Sequence, residues 1–154
     1  MKEFRRILAP TDFSPYSEEG LRYAAFLARK FGAEVVVYHV LTPKEMEARE
    51  SLPPPSSYVD EIYRDAEKEA VDQFHKALGE ENGLRVRGAA SSGVPFVEII
   101  RKAREEGCDL IVMATHGRTG LSHILMGSVA EKVVRMADCP VITIRPADHK
   151  FEMP

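Results

Sequence analysis

The stretch that decides the fold is LIVMATHGRTGLSHILMGS, residues 110–128. Its first four residues are apolar and are bounded by turn signals, a pattern typical of a buried strand in a parallel sheet. Residues 129–137 then repeat apolar side chains at helical spacing. The stretch therefore predicts a strand, a long loop that contains three glycines, and a helix that begins near Ser128.

The start of this helix has the features of an anion site. Ser128 and Glu131 have the spacing of a capping box, with Ser128 as the N-cap residue. The first turn of a helix has backbone N–H groups without partners and carries partial positive charge, so phosphate is its usual ligand. Gly127 has no Cβ and would let a phosphate approach the backbone. Alternatively, the glycines only shape a turn, and the residues alone favour neither interpretation.

Two common phosphate-binding motifs are excluded. The P-loop requires Gly-x4-Gly-Lys-Ser/Thr, and the chain contains no Gly-Lys pair. The dinucleotide fingerprint Gly-x-Gly-x-x-Gly is also absent. A phosphate site in this loop would therefore belong to a different class of nucleotide-binding protein.

The glycine spacing resembles that of the universal stress protein family, specifically its ATP-binding branch, which carries Gly-x2-Gly-x9-Gly-Ser/Thr after its fourth strand. The matching residues here are Ala114, Gly117, Gly127 and Ser128, with alanine in place of the first glycine. The segments ILAPTD at residues 7–12 and CPVITI at residues 139–144 are also similar to that family. The resemblance thus spans residues 7–145, nearly the whole chain.

Composition limits the function further. The chain has 154 residues and a net charge of −3, which suits one globular domain and argues against non-specific binding to nucleic acid. The first residues lack the apolar segment of a signal peptide, and no run is long enough to span a membrane. Cys108 and Cys139 have no metal-ligand spacing and are expected to be reduced, although a disulfide is not excluded. We therefore expect a cytoplasmic protein.

The pattern along the chain alternates strands with helices. A single domain is expected over residues 1–146, with a proline-rich loop at 42–57 and a C-terminal tail at 147–154. The expected strands are residues 4–9, 34–40, 84–89, 110–113 and 141–144, and the expected helices are residues 15–31, 58–78, 95–103 and 129–137. Strand 3 is the least apolar and is expected at an edge of the sheet.

The alternation predicts an α/β fold: an open parallel five-stranded sheet with helices on both faces. The family resemblance implies the strand order 3-2-1-4-5, which is Rossmann-like and similar to the adenine nucleotide alpha hydrolase-like fold. In this order the chain reverses direction between strands 1 and 4, and ligands bind at such a switch point. The segments 10–12 and 115–117, which follow these two strands, should therefore meet.

The loop at residues 42–57 has two interpretations. Pro43 and the triple proline at 53–55 favour an extended linker over a regular helix, so disorder is the simpler expectation. The alternative is a lid, because the loop leaves the same edge of the sheet as the glycine loop. A short helix over residues 46–52 is also compatible with the sequence.

The resemblance implies an ATP site. Asp12 would lie near adenine or ribose, or would only make a local turn. The backbone of Val40 would meet adenine, unless this residue is plain core. Gly127 and its neighbours would hold the phosphates, with Arg118 adding charge or merely solvated. The complete set is Pro10, Thr11, Asp12, Val40, Met113, Ala114, His116, Gly117, Arg118, Gly127, Ser128 and Val129. His39 and His75 are expected to be structural or on the surface.

We therefore expect an ATP-binding universal stress protein that acts as a nucleotide-dependent regulatory or protective module in the stress response. Mg²⁺ or Mn²⁺ would be held through the ATP phosphates and water. The chain shows no catalytic constellation, so at most slow ATP hydrolysis is expected. A homodimer through residues Val141–Ile144 and an unidentified protein partner are implied. The alternatives are a stress protein without nucleotide and an adenylating enzyme relative.

Overall fold

Five parallel strands form the centre of the protein. The structure, a computed structural model, describes residues 3–49, 56–79, 83–117 and 126–147. The strands are β1 (Arg6–Pro10), β2 (Glu34–Leu41), β3 (Arg85–Ser92), β4 (Leu110–Ala114) and β5 (Val141–Ile144). They are arranged in the order β3-β2-β1-β4-β5, and every pair is parallel. The predicted α/β fold and strand order are confirmed, with β3 and β5 at the edges.

Helices cover both faces of this sheet. They are α1 (Pro15–Phe31), α2 (Pro43–Arg49), α3 (Ser56–Leu78), α4 (Pro95–Glu105) and α5 (Ser128–Met136). Helices α1 and α3 contact each other over one face, and α4 and α5 contact each other over the opposite face. The central strands β1, β2 and β4 are mostly apolar because both of their faces are buried, whereas the edge strands β3 and β5 are only partly buried. Among the described residues, no helix is long and apolar enough to cross a membrane.

Local sequence signals determine the ends of α1. The Ser14 side chain accepts a hydrogen bond from the Ser17 N–H at 3.3 Å, and Pro15 occupies the first helical position. Gly32 ends the helix in the left-handed region, at φ 66°. The prediction for this helix is confirmed. Because α1 starts directly after β1, its first turn lies at the carboxyl end of the sheet.

Helix α2 corrects the expectation of an extended linker after β2. The described part of the proline-rich loop is helical from Pro43 to Arg49. Thr42 is its N-cap residue: Thr42 Oγ1 accepts from the Glu45 N–H at 3.3 Å, and Glu45 Oε2 accepts from the Thr42 N–H at 2.7 Å. This is a reciprocal capping box, and proline is favoured at the first position of a helix. Residues 50–55, which include the triple proline, lie outside the described residues.

The capping box expected at Ser128 is wrong by one position. The carbonyl of Gly127 accepts the first intrahelical bond of α5, from the Glu131 N–H at 3.0 Å, so Gly127 is the N-cap residue. No side chain caps this end, and Ser128 is the first residue of the helix. The shift has a tertiary cause: the Gly127 N–H donates to the Thr115 carbonyl at 2.6 Å, which fixes the position of Gly127 before the helix begins.

Candidate functional site

A cleft of about 370 Å³ opens at the carboxyl ends of β1 and β4. The chain reverses direction between these strands, and this volume lies within the range of small-molecule sites. The structure brings eleven of the twelve predicted site residues together around the cleft, and Arg118 lies outside the described residues. These eleven are Pro10, Thr11, Asp12, Val40, Met113, Ala114, His116, Gly117, Gly127, Ser128 and Val129.

Strand β2 extends beyond β1 and forms one wall of the cleft. The register places Pro10, the last residue of β1, opposite Tyr38, and the Thr11 N–H donates to the Tyr38 carbonyl at 2.8 Å. On the other side of β2, the Leu41 carbonyl accepts from Gly93. The backbone N–H and C=O groups of successive strand residues point alternately toward the two neighbouring strands. Those of Tyr38 point toward β1 and those of Leu41 toward the β3 side, so those of Val40 point to the β1 side, past the end of that strand. They lie at the cleft as a paired donor and acceptor.

The turn between β1 and α1 is rigidly built. Asp12 Oδ1 accepts from the Ser14 N–H at 2.9 Å, so the local turn role of Asp12 is present in the structure. Phe13 has φ 64°, the one positive φ at a non-glycine residue in the described chain. A bulky residue is rarely found in this region, which makes Phe13 a strained position. The Thr11 hydroxyl stabilises the turn by contacting Ser17 Oγ at 2.9 Å and the Gln73 side chain.

The two sides of the switch point touch each other through Asp12 and Gly117. A Cβ at Gly117 would collide with Asp12 Oδ2 and would lie 3.4 Å from Asp12 Cγ. Gly117 is therefore required for the Asp12 carboxylate to remain in its position. This contact gives a steric reason for the glycine that is separate from phosphate binding.

The loop before α5 closes the far side of the cleft. A Cβ at Gly127 would lie 3.0 Å from the Thr115 carbonyl oxygen, so the close approach of these two backbones requires glycine. Ser128, Val129 and Ala130 line the cleft, and their N–H groups precede the first intrahelical bond of α5. Helix α5 thus presents its positive end to the cleft.

His39 is a part of the site that sequence reasoning missed. Its side chain is 2% exposed, and its Nδ1 lies 2.7 Å from the Thr11 carbonyl oxygen. Its Nε2 lies 3.1 Å from Glu45 Oε1 on α2, and its ring packs on Phe13 at a centroid distance of 4.2 Å. His39 and Glu45 both line the cleft. The capping box at residues 42–45 was the one sequence signal that could have placed Glu45 beside it.

Comparisons with known proteins identify the family. A family model described as the universal stress protein family matches residues 3–145. The chain belongs to the universal stress protein family. Universal stress protein MJ0531 of Methanocaldococcus jannaschii is 36% identical over 144 residues, which covers 92% of this chain and 82% of the relative.

Solved structures of other universal stress proteins have the same fold. The structure of MJ0577 from Methanocaldococcus jannaschii is similar with a TM-score of 0.75 and 31% identity, and the match covers 96% of this chain and 99% of that one. A universal stress protein from Archaeoglobus fulgidus, solved in complex with dAMP, is similar with a TM-score of 0.58 and 24% identity, over 92% and 98% of the two chains. A further universal stress protein, solved in complex with cAMP, is similar with a TM-score of 0.64 and 20% identity, and the match covers 94% of this chain and 98% of that one.

The remaining wall of the cleft in this universal stress protein is apolar. Ile99 and Met113 are buried and line it together with Pro95. Tyr38 also lines it, and burial raises the pKa of its hydroxyl to about 12, so this side chain stays uncharged. An apolar wall beside a small number of polar backbone groups is typical of a ligand site.

The described residues provide neither a metal centre nor an activated thiol. No group of three or more His, Cys, Asp or Glu residues is arranged for a metal ion in the described part of the chain. Both cysteines are free, and burial raises the pKa of Cys108 to about 12, which keeps it a thiol.

Proposed function

We propose that this universal stress protein binds an adenine nucleotide, preferentially ATP, and acts as a nucleotide-dependent regulatory or protective module in the stress response. One observation carries the proposal: a single cleft at the switch point combines the backbone of Val40, an apolar wall and the amino end of α5. The Val40 backbone suits the polar edge of a base, the apolar wall suits the faces of its ring, and the amino end of α5 suits a phosphate chain.

Adenine suits the β2 side of the cleft. The N–H of Val40 can donate to a ring nitrogen of adenine, and its C=O can accept from the exocyclic amino group. The apolar side chains of Ile99 and Met113 offer contact to the faces of the ring. Guanine would present an acceptor where adenine presents its amino group, so the Val40 carbonyl favours adenine.

The phosphates suit the opposite side. Gly117, Gly127 and the first residues of α5 line this side of the cleft, and the N–H groups of the helix start, which lack intrahelical partners, can bind an anion. His116 lies beside this surface and contacts Thr115 Oγ1 at 2.8 Å. Mg²⁺ or Mn²⁺ would be held by the phosphate oxygens and water. Asp12 would accept a hydrogen bond from the ribose.

Relatives support the nucleotide class more than the choice of ATP. Two universal stress proteins of the same fold were solved with adenine nucleotides, one with cAMP and one with dAMP. These relatives do not decide how many phosphates the nucleotide carries. The α5 surface together with the Gly127-Ser128 pair favours a nucleotide with several phosphates.

Two rivals have weaker support. A universal stress protein without nucleotide is favoured by Ala114, which departs from the nucleotide-binding pattern, but Gly117, Gly127 and Ser128 keep that pattern. An adenylating enzyme would need further elements that bind a second substrate, and the family match over residues 3–145 is to universal stress proteins. Hydrolysis of bound ATP is expected to be slow at most.

We also propose a homodimer that forms through β5. This strand lies at the edge of the sheet, and its four residues are only half-buried. An apolar edge strand is a template for pairing with a second chain, and the same strand on both copies gives a two-fold contact. A separate protein partner and a cytoplasmic location complete the proposal.

The test is the identity of the bound nucleotide. Protein purified without added nucleotide is denatured, and the released small molecules are identified by mass spectrometry. Stoichiometric ATP or ADP supports the proposal, whereas AMP or a cyclic nucleotide would keep the adenine site and overturn the polyphosphate site. If none is released and calorimetry with ATP, ADP and AMP shows no binding, the non-nucleotide rival is favoured.

A further inference from the structure

His39 joins the turn after β1 to helix α2. Its Nδ1 is 2.7 Å from the Thr11 carbonyl oxygen, one residue before Asp12, and its Nε2 is 3.1 Å from Glu45 Oε1. The ring is buried and packs on the strained Phe13. A movement of α2 that displaces Glu45 therefore removes one of the two hydrogen bonds of His39.

The two contacts of His39 fix the number of protons in the closed arrangement. A carbonyl oxygen can only accept, so Nδ1 carries a hydrogen that it donates to Thr11. The contact between Nε2 and the Glu45 carboxyl group requires a second proton, shared between these two groups. Without that proton, a lone pair on Nε2 would face a carboxylate oxygen at 3.1 Å, and the contact would be repulsive.

Glu45 holds the amino end of α2, whereas other contacts hold the carboxyl end of this helix. Glu45 also accepts from the Thr42 N–H, so its carboxyl group holds both the capping box and His39. At the other end, the Arg49 carbonyl accepts from the Tyr58 hydroxyl at 2.8 Å, and Arg49 pairs with Glu69 of α3 at 3.0 Å. No residue of α2 is buried. Thr42 and Glu45 are also the residues of this segment that line the cleft.

We propose that His39 and Glu45 form a proton-dependent latch that holds the first turn of α2 at the rim of the cleft and slows exchange of the nucleotide; the second part rests on the proposed function. Titratable groups that line the same cleft as the pair are Asp12 from the β1–α1 turn, Tyr38 from β2 and His116 from the loop after β4. Arg49 and Glu69 form an ion pair at the other end of α2. Helix α3 presents the neutral Gln73 to Thr11. Because the closed contact contains this shared proton, we expect alkaline pH to open the latch.

Three variants separate the latch from a general effect on α2. Glu45→Gln keeps an acceptor for the Thr42 N–H and supplies an N–H that can donate to neutral His39, so its latch closes without the extra proton. Glu45→Ala removes both bonds. Glu47→Ala is the matched control, because Glu47 is an exposed glutamate on the same helix.

Hydrogen exchange measured by mass spectrometry on the nucleotide-free protein reports closure directly. The protection of amides at residues 46–49 should fall at least about tenfold in Glu45→Ala, since a charge-assisted hydrogen bond is lost. In the wild type, this protection should fall as pH rises, and in Glu45→Gln it should not depend on pH. ¹⁵N spectra of labelled histidine should show a proton on Nδ1 of His39 both at the lowest and at the highest pH of this experiment.

The second measurement is release of a fluorescent ATP analogue. Glu45→Ala should release it at least about tenfold faster than the wild type and Glu47→Ala, and Glu45→Gln should release it at the wild-type rate at neutral pH. Equal exchange protection in Glu45→Ala and wild type, or the same pH dependence in Glu45→Gln and wild type, would overturn the latch. Loss of protection with unchanged release would overturn its control of the nucleotide. If the wild type binds no analogue, the proposed function fails, while the exchange data still decide the latch.

Discussion

The most informative substitution in the proposed phosphate site is Gly127→Val. A Cβ at this position lies 3.0 Å from the Thr115 carbonyl oxygen, which is tighter than an ordinary van der Waals contact. The Gly127 N–H also donates to this oxygen at 2.6 Å, so the loop cannot move away without breaking that bond. The substitution therefore displaces the start of α5 relative to β4.

The size of the effect follows from the bonds that are displaced. A hydrogen bond to a charged group contributes about 1.5–3 kcal/mol, so the loss of one N–H to phosphate lowers ATP affinity about 10- to 150-fold. Adenosine, which has no phosphate, should lose less than about threefold in affinity, or about 0.65 kcal/mol. Valine is also a poor N-cap residue, which costs about 1 kcal/mol of stability and lowers Tm by about 2–4 °C in a chain of this size.

Titration calorimetry with ATP and adenosine, together with thermal unfolding of the same samples, measures all three quantities. Gly127→Ala introduces only the Cβ and should show a smaller loss for ATP. Ala114→Gly probes the other end of the motif and should strengthen ATP binding or leave it unchanged. Equal losses for ATP and adenosine would indicate general damage, and unchanged ATP affinity in Gly127→Val would refute the placement of phosphates at α5.

Other predictions concern the turn, the dimer and acid stability. Asp12→Ala should weaken ATP binding and also lower Tm slightly, because the hydrogen bond from the Ser14 N–H is lost. Asp12→Asn keeps that bond and should weaken ATP binding alone. If calorimetry shows unchanged ATP affinity in both variants, Asp12 is not part of the site. Ile142→Lys should sediment as a monomer, and a retained dimer would place the interface elsewhere. The hydrogen bond from Arg87 holds the pKa of Glu106 below its ordinary 4.5. The stabilisation by this carboxylate is therefore present above pH 4.5 and is lost as pH falls through the lower folded-state pKa. In Arg87→Met, the free energy of unfolding, measured with denaturant between pH 3 and 7, should decrease less toward acid pH than in the wild type.

The alternation of strands and helices predicted the parallel sheet, whereas the strand order came from the family resemblance, because apolar periodicity alone does not fix it. The location of the cleft then followed from the rule that ligands bind at the switch point. Continuous apolar runs at β2 and β4 identify buried strands, and the turn signals at residues 10–12 and 115–117 identify the carboxyl ends of β1 and β4. The exact cap of α5 could not be predicted, because both Gly127 and Ser128 are acceptable N-cap residues. The contact that decides between them is made by Thr115, from another part of the chain.

The first residues of helix α2 were missed: the sequence allowed a short helix only over residues 46–52, because Pro43 was interpreted without its neighbours. Thr42-Pro43-Lys44-Glu45 combines a capping box with proline at the first helical position, and this combination starts a helix rather than blocking one. The role of His39 is different, since no local pattern contains it. Its partners Thr11 and Glu45 are brought to it by the register of β1 on β2 and by the capping box.

The left-handed backbone of Phe13 has a consequence for sequence variation among relatives. A phenylalanine in this conformation costs about 1–3 kcal/mol and persists only where its surroundings compensate for it. Here the compensation comes from the His39 ring and from the Thr11 hydroxyl, which accepts from the Phe13 N–H at 3.0 Å. Substitutions at positions 13 and 39 should therefore be correlated in evolution: lineages that lose the histidine are expected to carry glycine or asparagine at position 13.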